Sequence, residues 1–475
     1  MKKFTYIYLM LIPFCFSLLS CSDDDNKDEE SPDQTVIYSM NILNGGVINR
    51  DSVVEGTVDE VKKEITFPLL DRNTDLSDIQ FETVVSDRAY IDGDVFNFTI
   101  AAGTTKTQKI IKVINGKRYR EYAVTIGYDI PNGADFKKIE IFDHSAALGV
   151  GNIYPDLSGV LTRSASFDGK HALIVSRGST GLHMLSLSNM LSNSLTPIKL
   201  NTTNVTGGTF AVSSGRLAHG HAYVCNLATA STSGNLLKIY HWADPANTAA
   251  APQLAYSFDS NAISGLSGRY GDNMSLDLDA AGNGYIYLGS NPHDNIVRLK
   301  VTNFVTIGDP TVIPLETTNR FGSFISYNLN IESGNYVYTG WQLTNAPITL
   351  IEEGGAMIYR MTTTSELFSS ASDARIITYN NTRYLIFVSA STPQTLYVYE
   401  LASVGTVAEA LETFDKQSEK TPEYVYSLAG TMYAGVQVAS LGWGVSDDEK
   451  TLYLFASAPQ AGFTLFSVPI KLKSN

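Results

Sequence analysis

The sequence predicts an all-β protein, in which a small immunoglobulin-like β-sandwich precedes a β-propeller of six blades, with seven blades left open. Two observations predict the propeller. A phrase that joins a turn to a strand occurs six times after residue 160, and a further strand usually follows. These strands are apolar at both odd and even positions, so both of their faces need to be covered. Sheets that repeat around an axis cover one another, and ring closure leaves no sheet exposed at an end.

The clearest copy of the phrase lies in residues 276–301. Its turn is Gly282-Asn283-Gly284, which tolerates positive φ, and the β-prone strand Tyr285–Leu288 follows. A polar loop then leads into the strand Ile296–Val301. The copy therefore predicts two neighbouring antiparallel strands of one blade.

The six copies are spaced by about fifty-five residues, which is longer than the repeats of common propellers. The strands after the six turns are predicted at His171–Arg177, His221–Leu227, Tyr285–Gly289, Tyr336–Trp341, Tyr384–Ala390 and Leu452–Ala458. The next strands are predicted at Leu182–Leu187, Leu236–Trp242, Ile296–Val301, Met357–Met361, Leu396–Leu401 and Phe463–Val468. Outer strands are visible at Pro252–Ser257 and Pro422–Ser427.

The last unit shows no outer strand after Val468, and Lys137–Phe142 would supply it and close the ring. Long gaps before Asn283 and Asp448 leave room for a seventh unit. A sandwich or a β-helix is the structural alternative.

The N-terminus has the pattern of an export signal. Lys2 and Lys3 precede an apolar run that is too short to span a bilayer. Leu18-Leu19-Ser20-Cys21 resembles the lipobox of bacterial lipoproteins, which implies acylation of Cys21 and removal of residues 1–20. An ordinary signal peptide that happens to contain Cys21 is the alternative.

An acidic tether is expected over residues 21–35. Its start, Ser22-Asp23-Asp24-Asp25, resembles the signal that sends lipoproteins of the Bacteroidota to the outer face of the outer membrane. We therefore expect a lipid-anchored outer-membrane protein that faces the cell exterior, with a periplasmic orientation as the alternative.

Residues 36–129 are expected to form the sandwich, and residues 136–475 the propeller. Short strands are predicted at Ile37–Leu43, Glu64–Leu70 and Phe81–Val85, followed by a hairpin. Asn115-Gly116 between the hairpin strands predicts a type I′ turn. The domain resembles the β-sandwich modules that follow the tether in surface lipoproteins, which implies a spacer role.

Charge and cysteine content restrict the partners. A net charge of −14 argues against nucleic acid and against electrostatic adhesion to lipid, so the membrane is contacted through the N-terminal lipid only. Cys225 is the one cysteine left after Cys15 and Cys21, and its strand position predicts a buried, unreactive thiol. No cofactor is predicted.

The lipobox, the acidic tract and the phrase at residues 268–275, GRYGDNMS, carry a wider resemblance. The chain resembles surface lipoproteins of the Bacteroidota that pair an immunoglobulin-like domain with a propeller domain of unassigned function.

Candidate ligand-binding residues follow from propeller geometry, because loops on one face surround the mouth of the central channel. Aromatic rings stack on sugar faces, and Arg, Asp and Gln bond to hydroxyl groups. The candidates are Arg177, Arg269, Tyr270, Asp272, His293, Asp294, Trp341 and Gln342, with Tyr154, Arg320, Tyr433 and Gln437 on the same loops.

Two readings of Arg269 stay open, since it could flank the channel mouth or brace its own loop through Asp272. His219-Gly220-His221 has a pair of metal-ligand side chains but no third ligand at a recognised spacing, so no metal site is predicted. Ser166-Phe167-Asp168-Gly169 resembles the start of a sialidase Asp-box, without its aromatic end.

The sequence favours a non-catalytic cell-surface lipoprotein that binds a glycan or another extracellular polymer, or docks on an outer-membrane uptake complex. No catalytic residue is assigned. A propeller-type glycoside hydrolase or polysaccharide lyase is the first alternative, and a protein-binding adhesion module is the second.

Overall fold

The computed structural model describes residues 35–46, 52–71, 74–100, 106–129, 133–179, 181–229, 236–259, 262–263, 268–291, 295–314, 324–329, 335–341, 348–352, 354–362, 368, 370–403, 405–430 and 438–471. The chain divides into two compact units, Met1–Ile130 and Pro131–Asn475. Strands dominate both, which confirms the all-β prediction. None of the helices in the described ranges is long and apolar enough to cross a bilayer.

The described residues of the first unit form two sheets around one apolar core. Its strands are β1 Ile37–Ile42, β2 Val54–Glu55, β3 Thr57–Asp59, β4 Glu64–Thr66, β5 Leu70–Asp71, β6 Phe81–Val85, β7 Tyr90–Ile91, β8 Lys106–Asn115 and β9 Arg118–Asp129. One sheet has the order β2-β1-β6 and the other the order β3-β4-β9-β8-β7, with β5 beside β9. The pairings of β4 and β5 with β9 are parallel.

The β8–β9 hairpin lies where the sequence predicts it, but its turn differs. Asn115 pairs with Arg118, so the turn residues are Gly116 and Lys117. Gly116 has a φ of +61°, whereas Lys117 is not among the residues with positive φ. A type I′ turn needs positive φ at both positions, so the predicted type is wrong, and the backbone fits a type II′ turn with glycine first.

The second unit contains six antiparallel sheets among its described residues, and it begins with β10 Glu140–Ser145. The first two sheets consist of β11 Thr162–Phe167, β12 His171–Ser176, β13 Leu182–Ser186 and β14 Ile198–Lys199, then β15 Phe210–Ala218, β16 His221–Leu227, β17 Leu237–Trp242 and β18 Gln253–Phe258. The third consists of β19 Arg269–Tyr270, β20 Ser275–Leu278, β21 Gly284–Asn291, β22 Asn295–Thr302 and β23 Thr306–Pro314.

The remaining three sheets complete the ring. The fourth consists of β24 Phe324–Leu329, β25 Asn335–Trp341, β26 Thr349–Glu352 and β27 Met357–Arg360. The fifth consists of β28 Ala371–Tyr379, β29 Thr382–Ser389, β30 Thr395–Leu401 and β31 Tyr424–Ser427. The sixth joins β32 Ser440–Val445, β33 Thr451–Ala458 and β34 Gly462–Pro469 to β10.

The sheets form a closed β-propeller. The inner strands β11, β15, β20, β24, β28 and β32 pack against one another in this order, and β32 packs against β11. The ring is closed by β10, which pairs with β34 over Glu140–Ser145. A closing strand from just before the first blade was predicted at Lys137–Phe142, and the observed strand begins three residues later.

Short helices lie between the strands. Those with described bounds are the 3-10 turns Phe136–Lys138, Ala146–Leu148, Val150–Asn152 and Pro155–Leu157, and the α-helices α1 Leu187–Leu191 and α2 Val407–Asp415. Helix α2 begins with a capping box, in which Thr406 and Glu409 exchange side-chain and backbone hydrogen bonds. Its buried residues, among them Leu411 and Phe414, pack on the fifth sheet.

The predicted strand at Met357–Met361 lies one place further out than expected. It is the outer strand β27, and β26 Thr349–Glu352 takes the third place. The third strand was overlooked because it has only four residues.

Candidate functional site

The residues of interest lie where the inner strands begin and the connecting loops meet. Arg177 follows directly after β12, and Arg269 to Asp272 lie in the connection from β18 to β20. Ser176, at the end of β12, pairs with Thr162, at the start of the inner strand β11, so Arg177 lies where the inner strands begin. Residues 269–272 lead into the start of the inner strand β20 and therefore lie at the same end of the ring. This end is the face on which the sequence predicts ligand binding.

Arg177, Arg269 and Asp272 form one ion-pair cluster. Nη2 of Arg177 donates to Oδ1 of Asp272 at 2.9 Å, and Nη2 of Arg269 donates to the same oxygen at 2.6 Å. The side chains of Arg177 and Asp272 are 1% and 2% exposed, whereas that of Arg269 is 38% exposed. Asp272 is therefore occupied by two guanidinium groups, and Arg269 braces its own loop, one of the two readings left open above.

The loop of this cluster is bonded to the second sheet. Oγ of Ser213 accepts from Arg177 at 2.8 Å and donates to the carbonyl of Gly271 at 2.6 Å. Tyr270 exchanges backbone hydrogen bonds with Ala228 and is fully buried. The ring of Tyr270 consequently packs between the second and third sheets and offers no stacking surface to a ligand.

The other candidates are placed as follows. Tyr154 is buried, and its hydroxyl lies 2.8 Å from Nε2 of His183. Trp341 is the last residue of β25, and only its backbone is described. Outside the described residues lie Cys21, His293, Asp294, Arg320, Gln342, Tyr433 and Gln437.

Behind the ion-pair cluster lies a polar cavity on the axis of the ring. It is narrow, and the space inside it that water can occupy is about 10 Å³. Its lining comes from four inner strands and the loops that lead into them, and consists of Arg163, Ser164, Arg216, Asp272, Asn273, Ser372, Asp373, Val438, Ala439 and Ser440. Hydroxyl, amide, guanidinium and carboxylate groups thus converge there.

Arg216 is the more deeply buried of the two arginines that line this cavity. Its Nη1 donates to Oγ of Ser164 and to the carbonyl of Ala165, both at 3.1 Å, and its Nη2 donates to Oδ1 of Asn273 at 3.2 Å. Its Nε has no hydrogen-bond partner. Burial lowers the pKa of Arg216 to about 10, which leaves the guanidinium charged at neutral pH.

Arg163 and Asp373 lie on the same cavity wall. Arg163 is half-buried and donates through Nε to the carbonyl of Val160 at 3.1 Å. Burial, together with the positive charges of Arg177 and Arg269, lowers its pKa. Asp373 accepts from the backbone N–H of Leu441 at 3.1 Å and lies 3.4 Å from Nη2 of Arg375.

The far end of the second sheet holds a stack of imidazole and phenyl rings. Nδ1 of His221 lies 2.8 Å from Nε2 of His241, and the ring of His221 stacks on that of Phe304 at 4.0 Å. Burial lowers the pKa of His221, and it lowers that of His241 to about 4. No three His, Cys, Asp or Glu side chains of the described ranges come together as a metal site.

Cys225 lies in β16, at the centre of the second sheet. It is fully buried, as its strand position predicts, and burial raises the pKa of its thiol to about 12. Such a thiol stays protonated at neutral pH and is a poor nucleophile.

Arg163, Arg216 and Asp373 were not among the predicted site residues. They lie on inner strands, where small and polar residues hide the alternation that marks a strand. A signal was nonetheless present, since Ser213-Ser214-Gly215-Arg216 and Ser372-Asp373-Ala374-Arg375 share a serine three residues before an arginine. Both segments directly precede a predicted turn-plus-strand phrase.

Comparisons with known proteins place the chain in one family. A family model described as a domain of unknown function (DUF4623) matches residues 23–471. The crystal structure of a DUF4623 family protein from Bacteroides eggerthii is 30% identical, with a TM-score of 0.65, and the match covers 92% of this chain and 99% of that chain. No protein with a curated description matches the sequence.

Two further solved structures are more distant. Regucalcin from Agrobacterium tumefaciens, described as a calcium-binding protein, is 11% identical with a TM-score of 0.39, over 68% of this chain and 94% of that chain. A GH43_1 enzyme from Xanthomonas citri in complex with xylose is 12% identical with a TM-score of 0.33, over 53% of this chain and 90% of that chain. These similarities are too weak to inform on ligand or activity.

Proposed function

Since the chain belongs to the DUF4623 family, whose function is unknown, its role has to be inferred from its own residues, and we propose that it is a non-catalytic binding protein of the cell surface. Its ligand would be a glycan or another extracellular polymer. The ligand would engage the loop face of the propeller at the mouth of the axial cavity. The observation that carries the proposal is the engagement of both cavity carboxylates by other protein groups.

Both carboxylates of the cavity are bound within the protein. Asp272 accepts from Arg177 and Arg269, and Asp373 accepts from the N–H of Leu441 beside Arg375. A glycosidase needs one carboxyl group that holds a proton and a second that acts as base or nucleophile. Carboxylate oxygens that already accept hydrogen bonds from the protein have fewer lone pairs free to act on a glycosidic bond. This arrangement supports binding over hydrolysis.

The remaining cavity groups suit the recognition of a hydroxylated ligand. Ser164, Ser372 and Ser440 bring hydroxyl groups, and Asn273 brings an amide. Sugar hydroxyls act as both donors and acceptors, so such groups bond to them in several orientations. Several of these groups lie on strands that are paired in sheets, and groups held in place before binding lose less conformational entropy when a ligand binds.

The cellular setting of this proposal comes from the sequence. Acylation of Cys21 would anchor the protein in the outer membrane, and the acidic residues after it would direct it to the cell exterior. The first unit would act as an immunoglobulin-like spacer, and an outer-membrane uptake complex would be a partner. A protein-binding adhesion module is the other role that this setting allows.

One observation favours a propeller enzyme as the second candidate. Asp277, on the inner strand β20, has its pKa raised to about 6 by burial and by the neighbouring Asp279. A carboxyl group with such a pKa suits a general acid. Asp277 is not among the residues that line the cavity, however, so it ranks below the binding function.

The test uses the full chain with Cys21→Ser, which carries no acyl group, on a panel of soluble polysaccharides. We expect retention of at least one polysaccharide in affinity electrophoresis and no new reducing ends after prolonged incubation. If the protein releases products from a polysaccharide and Asp277→Asn abolishes that release, the protein is an enzyme and the non-catalytic proposal is wrong. Failure to retain any polysaccharide would overturn the proposal.

A further inference from the structure

We propose that the first unit has a binding surface of its own, which contacts an extended, neutral polysaccharide through two exposed tyrosines. The surface is a ridge formed by Tyr90, Ile114 and Tyr119 on the outer face of the larger sheet. A spacer would have no use for this ridge. The proposal does not depend on the propeller site, because every residue that carries it lies in the first unit.

Strand pairing places the ridge on one line across three strands. Ile114 of β8 pairs with Tyr119 of β9 on one side and with Tyr90 of β7 on the other. Residues that pair directly across strands lie on the same face of a sheet. Val113, which precedes Ile114 in β8, is fully buried in the core of the unit, so the ridge lies on the opposite face.

Both tyrosines of the ridge are accessible to a ligand. Tyr90 is 56% exposed and Tyr119 is 62% exposed, with the half-buried Ile114 between them. In the part of the chain that the structure describes, neither tyrosine hydroxyl forms a hydrogen bond. The ridge therefore offers a ligand two large apolar rings and two hydroxyl groups that are still able to donate and accept.

Lys112 holds the ring of Tyr119 and leaves the ridge without excess charge. Nζ of Lys112 lies 4.8 Å from the centroid of this ring and 3.4 Å from Oε1 of Glu121. A ring restrained by a cation–π contact before binding loses less conformational entropy when a ligand binds. Because Glu121 compensates the charge of Lys112, the field beside the ridge does not favour a charged polymer.

The distance along the ridge fits an extended sugar chain. Neighbouring strands lie about 4.8 Å apart, so Tyr90 and Tyr119, separated by two such steps, have backbones about 10 Å apart. This distance is close to the length of a disaccharide unit in an extended polysaccharide. Every second sugar would then place the apolar C–H groups of its ring on a tyrosine, while its hydroxyl groups bond to the tyrosine hydroxyl and to water.

The size of the ridge favours a polysaccharide over a protein partner. With these exposed fractions, the two tyrosines present about 250 Å² of surface. A stable protein interface, including one with a second copy of this chain, buries about 800 Å² on each partner. A single polysaccharide strand is narrow enough to be covered by a ridge one residue wide.

The test measures binding of soluble neutral polysaccharides to the full chain with Cys21→Ser. The probes are hydroxyethyl cellulose, glucomannan and xyloglucan, in affinity electrophoresis. We expect at least one of them to be retained, and Tyr90→Ala combined with Tyr119→Ala to reduce that affinity at least tenfold. Tyr90→Phe combined with Tyr119→Phe keeps both rings and should stay within threefold.

Tyr38→Ala is the matched control. Tyr38 is 54% exposed and lies in the same unit, but on β1 of the smaller sheet, so its substitution should change the affinity less than twofold. All three tyrosines are more than half exposed, so these variants should fold, which thermal unfolding checks. If the double alanine variant does not fold, Tyr90→Ala and Tyr119→Ala are measured singly, and each should reduce the affinity at least threefold.

The outcomes distinguish this surface from the propeller site. Neutral polysaccharide binding that a folded tyrosine variant retains, but Asn273→Ala loses, would overturn the ridge and leave the proposed function intact. Binding lost in the tyrosine variant alone would support the ridge and overturn the placement of the ligand on the propeller. Retention of charged polysaccharides only, or a dimer in sedimentation that the tyrosine variant abolishes without any polysaccharide binding, would overturn the ridge as a polysaccharide site.

Discussion

Asp143 and Tyr426 join the closing strand of the propeller to the neighbouring blade. Oδ2 of Asp143, on β10, accepts from the hydroxyl of Tyr426, on β31, at 2.6 Å. Oδ1 of the same carboxylate accepts from the N–H of Ser145 at 2.8 Å and from the hydroxyl of Thr464 at 2.9 Å. The strand that completes the sixth sheet is thus also fixed to the fifth.

Removal of this carboxylate should weaken ring closure. We expect Asp143→Ala to lower the free energy of unfolding by about 2–4 kcal/mol, because three donors lose a charged acceptor in a buried place. Tyr426→Phe should lower it by about 1–2 kcal/mol, since it loses one hydrogen bond to a charged group. All three tryptophans, Trp242, Trp341 and Trp443, lie in the second unit, so their fluorescence during urea unfolding reports on the propeller alone.

Tyr119→Phe provides the control for this pair. Tyr119 is 62% exposed and lies in the first unit, so its substitution should leave the tryptophan transition unchanged. An Asp143→Ala variant with the same urea midpoint as the parent protein would contradict the role of this contact.

The ion-pair cluster at the channel mouth predicts an asymmetry between its two arginines. Arg177→Gln should lower the free energy of unfolding by about 3–5 kcal/mol, because it breaks a buried pair and removes the partner of Ser213. Arg269→Gln should lower it by at most about 1 kcal/mol, since this side chain is 38% exposed and solvent screens the pair. Urea unfolding followed by tryptophan fluorescence measures both, and equal losses would refute the asymmetry.

The sequence predicts those strands that are apolar on both faces. The second and third strands of a blade lie between neighbouring blades, and β16 and β30 begin and end within one residue of their predicted limits. Inner strands escape prediction because they line a polar axis. Phe210–Ala218 and Ala371–Tyr379 both mix serine and arginine with apolar residues, so neither face shows a period of two.

The candidate site also has features that the sequence predicts and features that it does not. Arg177, Arg269 and Asp272 are brought together, because loops at one end of a ring converge whatever their sequence. Their burial and mutual pairing could not be predicted, since a spacing of residues does not show which side chains reach each other. Arg216 was overlooked because an arginine within a strand is ordinarily an exposed residue.

Buried imidazoles predict a loss of stability in acid. Burial lowers the pKa of His144, His183, His221 and His241 in the folded protein, and that of His241 falls to about 4. Between the unfolded pKa of about 6.5 and these lower values, the unfolded chain binds more protons than the folded chain. The contribution of these neutral, buried histidines to the free energy of unfolding is therefore fully present above pH 6.5 and is lost as the pH falls toward 4.

Asp277 opposes this trend over part of the range. Its folded pKa of about 6 lies above the ordinary value of a carboxyl group, so its contribution increases as the pH falls. We expect the melting temperature to decrease by several degrees from pH 7 to pH 5 in the parent protein. The decrease should be smaller in His241→Gln and larger in Asp277→Asn. A melting temperature that is constant over this range would contradict the assigned pKa shifts.

Gly271, in the loop at the channel mouth, has no room for a side chain. Its φ is +95°, and a Cβ there would lie 1.9 Å from the carbonyl oxygen of Asn226, far inside van der Waals contact. Gly220 has a similar φ of +83°, but a Cβ there would meet nothing within 4 Å. Substitution of Gly220 by Ala should therefore show only the backbone strain, about 1–2 kcal/mol.

Gly271→Ala adds a steric clash to that strain, because the oxygen of Asn226 belongs to the backbone and cannot move aside as a side chain would. We expect it to lower the free energy of unfolding by at least about 3 kcal/mol, as other disruptions of tightly packed sites do. The Arg177–Asp272 pair depends on this loop, so ligand affinity should fall as well. Tryptophan-detected urea unfolding of both variants measures the difference between them. If the two substitutions lower stability equally, the close approach of the loop to the second sheet is not a determinant of the site.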